Sequence, residues 1–205
     1  MPATKLRFQP WAGNIIIILV ELRKEYTSFR ATIFRISIMK KIIVIGCPGS
    51  GKSTFARALH EKTGIPLCHL DMLFWNEDKT TVGRAVFLER VSAVMAGDEW
   101  ILDGNYGSTM EERIAACDTV FFLDYPLDVC LDGVRSRIGK PRADMPWIET
   151  EENAEFIEFI RGYNEKERPE VMRLLEKYSE KNAVIFTDRE RANEFLKEKT
   201  LDFAH

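Results

Sequence analysis

Gly46-Cys47-Pro48-Gly49-Ser50-Gly51-Lys52-Ser53 completes the pattern G-x-x-x-x-G-K-[ST], between the apolar run Lys41-Ile42-Ile43-Val44-Ile45 and a helical spacing over residues 53–62. A strand, a glycine-rich turn and a helix in that order make a phosphate cradle. Glycines at 46, 49 and 51 let the backbone take positive φ and come close, so that successive N–H groups point at phosphate oxygens at the positive end of the following helix. In such a cradle Lys52 reaches the β and γ phosphates and the Ser53 hydroxyl is placed for Mg²⁺. Gly46, Gly49, Ser50, Gly51, Lys52 and Ser53 are therefore the candidate phosphate-binding residues. A glycine-rich turn with no ligand is the alternative, and it gives no reason for the strand and helix on either side.

Downstream of the loop, strands and helices alternate. Helical spacing over 53–62 ends at Gly64, and a second strand over 65–70 leads into Asp71. Ligands of parallel α/β sheets sit outside the carboxyl ends of the strands, which makes Asp71 a candidate acceptor-site residue, with a turn-capping aspartate as the alternative. His69, inside that strand, reads as a packed core histidine. Residues 72–79 are too aromatic for a plain loop. Phe74 and Trp75 are read there either as a cover over a substrate or as packing beneath the next helix, 82–96. The third strand, 100–106, carries Asp103 followed by Gly104, where an acid holds Mg²⁺ or its waters. Asn105 and Tyr106 follow as possible substrate contacts. The fourth strand, 119–123, is apolar throughout, as expected of one buried on both faces.

The helix after it, 127–138, runs into Arg135-Ser136-Arg137-Ile138-Gly139-Lys140-Pro141-Arg142. Cations clustered around a glycine and a proline read as a mobile lid over about 137–150 whose Arg137 and Arg142 close on phosphates. Cations favoured by the helix dipole are the alternative. Charged amphipathic helices are expected over 149–163 and 169–178, with Arg161 and Arg168 indistinguishable from surface arginines. A fifth strand over 183–186 is followed by Thr187-Asp188-Arg189, which adds Arg189 to the nucleotide candidates, and by a helix over 191–199.

The 205 residues, 45% hydrophobic and 30% charged, suit one soluble globular domain. The net charge of −3 divides unevenly, because residues 1–38 hold six Lys/Arg against two Glu (+4), leaving −7 for 39–205. An acidic domain argues against broad capture of nucleic acid. The four cysteines form no C-x-x-C and no zinc spacing, which fits a reducing cytoplasm. Cys47 reads as a small residue the loop tolerates, with an oxidation-sensitive thiol as the alternative. Residues 15–20 are too short an apolar run to cross a bilayer and lack a signal-peptide cleavage site. Residues 1–38 are expected to be an extension outside the fold, with Met39 as the effective start and 39–205 as the domain. A basic targeting segment is the other possibility.

Five strands alternating with helices indicate a parallel three-layer α/β/α sheet. Met39 to Thr54, His69-Leu-Asp-Met-Leu-Phe-Trp, Asp103-Gly-Asn-Tyr, Phe122-Leu-Asp-Tyr-Pro and Arg137-Ile-Gly-Lys-Pro-Arg-Ala-Asp-Met-Pro-Trp147 resemble the adenylate-kinase-like P-loop proteins called DNA topology modulation proteins in bacteria. The resemblance covers about 39–198. More distantly the layout is similar to adenylate and shikimate kinases, which implies strand order 2-3-1-4-5, ATP as the nucleotide, Thr54 beside Lys52 and Ser53 on its phosphates, and lid roles for Arg137 and Arg142. Leu102-Asp103-Gly104 matches the adenylate kinase Leu-Asp-Gly, but the Phe-Pro-Arg that follows it there is missing, which puts a nucleoside monophosphate acceptor in question.

The reading this favours is an ATP-dependent phosphotransferase, with Lys52, Asp71, Arg137 and Arg142 as catalytic residues, Ser53 and Asp103 at Mg²⁺, and a small-molecule acceptor. An ATP-binding regulatory protein, using nucleotide as a switch and associated with DNA as the family name implies, is the alternative. A GTPase is disfavoured because no Asn-Lys-x-Asp occurs.

Overall fold

The computed structural model describes residues 15–16 and 39–197; the rest of the extension expected over 1–38 lies outside the described residues. In chain order the elements are β1 (Ile15–Ile16), β2 (Lys41–Gly46), α1 (Lys52–Thr63), β3 (Leu67–His69), α2 (Leu70–Phe74), α3 (Arg84–Met95), β4 (Trp100–Asp103) and α4 (Gly107–Ala116). There follow β5 (Thr119–Leu123), α5 (Leu127–Arg135), α6 (Ala154–Arg161), α7 (Tyr163–Lys166), α8 (Arg168–Lys177), β6 (Asn182–Phe186) and α9 (Arg189–Lys197).

The strands form one parallel sheet in the order β3-β4-β2-β5-β6-β1. Counted from β2, the five longer strands run 2-3-1-4-5, the order the resemblance implies. β1 adds two residues at the edge, Ile15 beside Ala183 and Ile16 beside Val184.

β2 and β5 lie at the centre because their sequences are apolar on both faces. Alternate side chains of a strand point to opposite sides, so Ile42 and Val44 pack with Phe55, Leu59 and Phe121 on one face. Ile43 and Ile45 pack with Phe87, Ile114, Phe122 and Leu174 on the other. On the first face the Phe55 and Phe121 rings stand 5.1 Å apart. Both core layers are built from residues 39–197. A chain starting at Met39 is therefore expected to be soluble, to melt cooperatively and to bind ATP as the longer chain does, checked by thermal melts and calorimetric titration. Aggregation or lost affinity would show that residues before Met39 belong to the folded unit.

Because every strand runs the same way, the loop after β2, Asp71 after β3, Asp103 at the end of β4 and Arg189 after β6 all emerge on one edge of the sheet. Several boundaries differ from the sequence reading, each for a local reason. The Val82 N–H bonds back to Phe74 O at 2.9 Å and Trp75 pairs with Thr81, so 75–82 is a small hairpin and the next helix waits until Arg84. The helix expected from 149 starts at Ala154, where the Asn153 side chain accepts the Phe156 N–H at 2.9 Å as an N-cap. α4 begins at Gly107, directly after Tyr106.

Candidate functional site

At the loop, glycine is demanded by crowding as well as by φ. A Cβ on Gly46 would fall 2.5 Å from Leu123 O, and one on Gly49 only 2.0 Å from Cys130 O. The contact with α5 is reciprocal, since a Cβ on Gly133 would lie 2.0 Å from Gly49 O. Gly51, at φ 95°, is the N-cap of α1, whose first turn carries no acid and no side-chain cap. That helix end, with its unsatisfied N–H groups, suits an anion. Lys52 Nζ donates to Cys47 O at 3.1 Å, across the loop. Burial pushes the Lys52 ammonium below its ordinary range, while Asp103, Cys47 and Asp71 pull it back. The Ser50 hydroxyl and Asp103 Oδ1 are buried with no hydrogen-bond partner in the protein. A close-packed cradle, an open helix N-terminus, a loop lysine and two orphaned oxygens fit a nucleoside triphosphate with Mg²⁺.

Beside the cradle stands a second group of residues. The Tyr106 hydroxyl donates to Asp71 Oδ1 at 2.5 Å. Burial raises the Asp71 carboxyl above its ordinary range, and the Tyr106 hydrogen bond opposes that only in part. Tyr106 holds φ 41° and ψ 78°, a left-handed conformation that costs a non-glycine residue on the order of 1–3 kcal/mol. What holds it there is Arg113, which is fully buried in α4. Its guanidinium donates to Gly104 O at 2.9 Å, to Tyr106 O at 3.2 Å, to Asn105 O and to Thr109 Oγ1 at 3.0 Å. Burial pulls the Arg113 pKa down to about 10. Asn105 Oδ1 in turn accepts the Gly46 N–H at 3.0 Å, so the same turn steadies the start of the phosphate loop.

Removing Arg113 would take the guanidinium donor from Gly104 O and Asn105 O in a strained turn, while Tyr106 O would keep only the Thr109 donors. Arg113→Ala is expected to lower unfolding stability by about 3–5 kcal/mol, and Arg113→Lys to recover little of it because one ammonium cannot span the fork. Urea melts of the three proteins give the comparison. A loss below about 1 kcal/mol would mean that the turn stands without the guanidinium.

His69 is not merely packed: its Nδ1 meets Asp103 Oδ2 at 2.7 Å, fixing one carboxylate oxygen and leaving Oδ1 over. The arginine segment is folded onto the cleft. α5 stops at Arg135 rather than 138, and Gly139 N–H bonds to Glu149 O at 2.7 Å, closing the base of the segment. Arg137 Nε lies 2.7 Å from Glu149 and Arg142 Nη1 3.0 Å from the same oxygen. Arg142 Nη2 also meets Asp144 at 2.7 Å, and Arg57 Nη1 reaches Asp144 at 3.5 Å. Asp144 is 4% exposed. Burial works to raise its carboxyl, but Arg142 and the Ser53 hydroxyl outweigh that and hold it well below the usual carboxylate range. Arg189 donates to Gly49 O and to Val129 O, both at 3.2 Å, bracing the loop from the far side.

One cleft of about 1290 Å³ joins these groups. Gly49 to Thr54, Asp71, Asp103, Arg137, Arg142 and Arg189 all line it, while Gly46 is buried outside that lining. Phe74 and Trp75 both line the cleft; Phe74 also packs on Phe87 of α3 at 5.2 Å, and Trp75 meets Trp147 of the arginine segment at 5.1 Å. Arg57, Arg113 and Asp144 were given no role by the sequence, where nothing marks them. Arg168, left undecided there, makes a two-pronged pair with Asp124, while Arg161 pairs on the surface with Glu158.

The shikimate kinase of Bacteroides thetaiotaomicron is similar over 78% of this chain and 95% of its own, at 21% identity and TM-score 0.53. That of Acinetobacter baumannii, solved in complex with shikimate, is similar over 80% of this chain and 93% of its own, at 16% identity and TM-score 0.52. The fold is that of the shikimate-kinase-like P-loop proteins. No protein-family model matches the chain, and no curated protein does. Among the described residues of this P-loop fold, no helix is long and apolar enough to cross a membrane.

Proposed function

We propose that this protein transfers the γ-phosphoryl group of ATP to a hydroxyl of a small-molecule acceptor. The observation that carries the reading is a partly buried carboxylate, Asp71, held by Tyr106 in the same cleft as the phosphate cradle. A nucleotide switch needs a cradle but no such group.

In this reading the loop N–H groups and Lys52 hold the ATP phosphates, Thr54 extends the cradle along α1, and Arg189 steadies Gly49 from outside. Ser53 and Asp103 would hold Mg²⁺, which when bound neutralises charge on the phosphates. Asp71 orients the acceptor hydroxyl and takes its proton. Arg137 and Arg142 close over the phosphoryl group as it moves, their charge assisting in a step that is mostly positioning and electrostatics. The resemblance to the topology modulation proteins supports the adenylate-kinase-like reading; the charge of residues 39–205 does not support a nucleic-acid partner. The four cysteines are free thiols, which suits the cytoplasm.

The test is transfer from labelled ATP to a panel of nucleosides, nucleotides and small hydroxylated metabolites, beside a DNA titration at fixed salt. Label on an acceptor above the hydrolysis background is the expected result. Hydrolysis alone together with salt-sensitive DNA binding would favour the switch. Because burial raises Asp71, the acidic limb of the kcat profile is expected above the ordinary aspartate range. The base is inactive when protonated, so activity climbs as pH rises through that pKa. The residual activity of Asp71→Asn should lack the limb, and a limb that persists there belongs to another group.

A further inference from the structure

We infer that the acceptor is an uncharged, ring-bearing alcohol of the nucleoside class. This rests on the kinase reading and narrows it.

The acceptor end of the cleft has a flat aromatic wall next to its carboxylate. Trp75 follows Asp71 by one helical turn, and both line the cleft. The Trp75 ring is held in two ways: it meets Phe74 at 86° and Trp147 at 87° between ring planes. Both tryptophans are only partly buried, unlike Trp100, which is 1% exposed in the core. Large rings kept rigid, partly exposed and beside a hydroxyl-orienting carboxylate suit a partner with a π-face of its own. A sugar or other aliphatic polyol would offer that surface C–H contacts but no π-face to stack.

The charges decide between nucleoside and nucleotide. Among the described residues, the guanidiniums that line the cleft near Asp71 are Arg57, Arg137 and Arg142. Arg137 and Arg142 are the pair assigned to the transferred phosphoryl group, and both already bear on Glu149. Arg57 is engaged by Asp144. The lysines lining the cleft are Lys52, which belongs to the phosphate loop, and Lys79, exposed at the hairpin tip. A phosphate on the acceptor would thus bring about two more negative charges close to Asp71, where each of these guanidiniums already faces a carboxylate. An acceptor carrying only hydroxyls meets no such cost.

The step balances with ATP as the donor. The acceptor hydroxyl oxygen forms the new bond to the γ-phosphorus while the bond from phosphorus to the ADP oxygen breaks. ADP leaves with that electron pair, and the hydroxyl proton passes to Asp71. Tyr106 already occupies Asp71 Oδ1, which leaves Oδ2 for this proton.

The experiment uses the full chain saturated with a non-hydrolysable ATP analogue, so that nucleosides cannot report through the ATP site. Tryptophan fluorescence is titrated with purine and pyrimidine nucleosides, their 5′-monophosphates, and shikimate and hexoses, and the same compounds are offered to the ATP-loaded enzyme as acceptors. Quenching and phosphorylation by at least one nucleoside are expected, with its monophosphate binding at least about tenfold more weakly. Trp75→Leu and Trp147→Leu should each raise the nucleoside Kd by about tenfold or more while ATP affinity holds, which also shows that the variants are folded. Preferential use of a monophosphate or of an aliphatic polyol would overturn the nucleoside assignment and leave the kinase reading standing. ATP binding without transfer to any compound would overturn the kinase reading and this one with it.

Discussion

Lys52→Ala is expected to abolish the rise in Tm that ATP produces. A ligand at a hundred times its Kd stabilises the folded state by about 2.7 kcal/mol. For a domain of this size that amounts to roughly 5–10 °C. The loss should be nearly complete, because Lys52 is the side-chain cation that the loop itself brings to the phosphates, and its Nζ already lies across the loop on Cys47 O. The unliganded protein should respond in the opposite sense. Lys52 pays a desolvation penalty in the fold, so removing the ammonium should leave the apo Tm unchanged or higher. Differential scanning fluorimetry with and without Mg-ATP separates the two effects. A variant that melts like the parent in both conditions would remove the phosphate-cradle assignment.

Asp71→Asn should leave ATP affinity nearly intact while turnover falls by about 10²–10⁴. The amide keeps the size of the group and can still meet the Tyr106 hydroxyl, but it cannot accept the acceptor's proton, so the change falls on the transition state. Tyr106→Phe should cost less, since it removes a hydrogen bond and leaves the base. Arg137→Ala and Arg142→Ala should each lower kcat by about 10³ or more, with little change in nucleotide binding. Their effects should not add, because the two guanidiniums share Glu149. Rapid-quench turnover and equilibrium titration on the same preparations supply both numbers. Loss of ATP binding in Asp71→Asn would place that carboxylate with the nucleotide instead of the acceptor.

The features legible in the sequence were those that local chemistry writes into consecutive residues. The phosphate loop is one, with its glycines, lysine and serine in fixed spacing; the central strands are another, because burial on both faces demands an unbroken apolar run. Asp71 and Asp103 could be found because parallel strands bring their ends to one edge. What was not legible depends on segments distant in sequence. In a helix reading Met110-Glu-Glu-Arg, Arg113 looks like a surface arginine, and only the folded turn at 104–106 supplies its carbonyl partners. Asp144 gives no sign that it will sit between Arg57 and Arg142. The helix expected from 149 began late because Glu149 is committed to the arginines and Asn153 to the cap.

The touching backbones of Gly49 and Gly133 have a consequence for hinge mechanics. With no side chain between them, the phosphate loop and α5 form a single rigid body, and α5 cannot tilt without dragging the loop. Any opening of the arginine segment must then be accommodated past the end of that helix, where Gly139 holds φ 75°. An alanine at 133 would act as a wedge driven under the loop from outside the motif. The signature of this phosphate site therefore includes a glycine far downstream of Ser53, at a position no loop pattern contains.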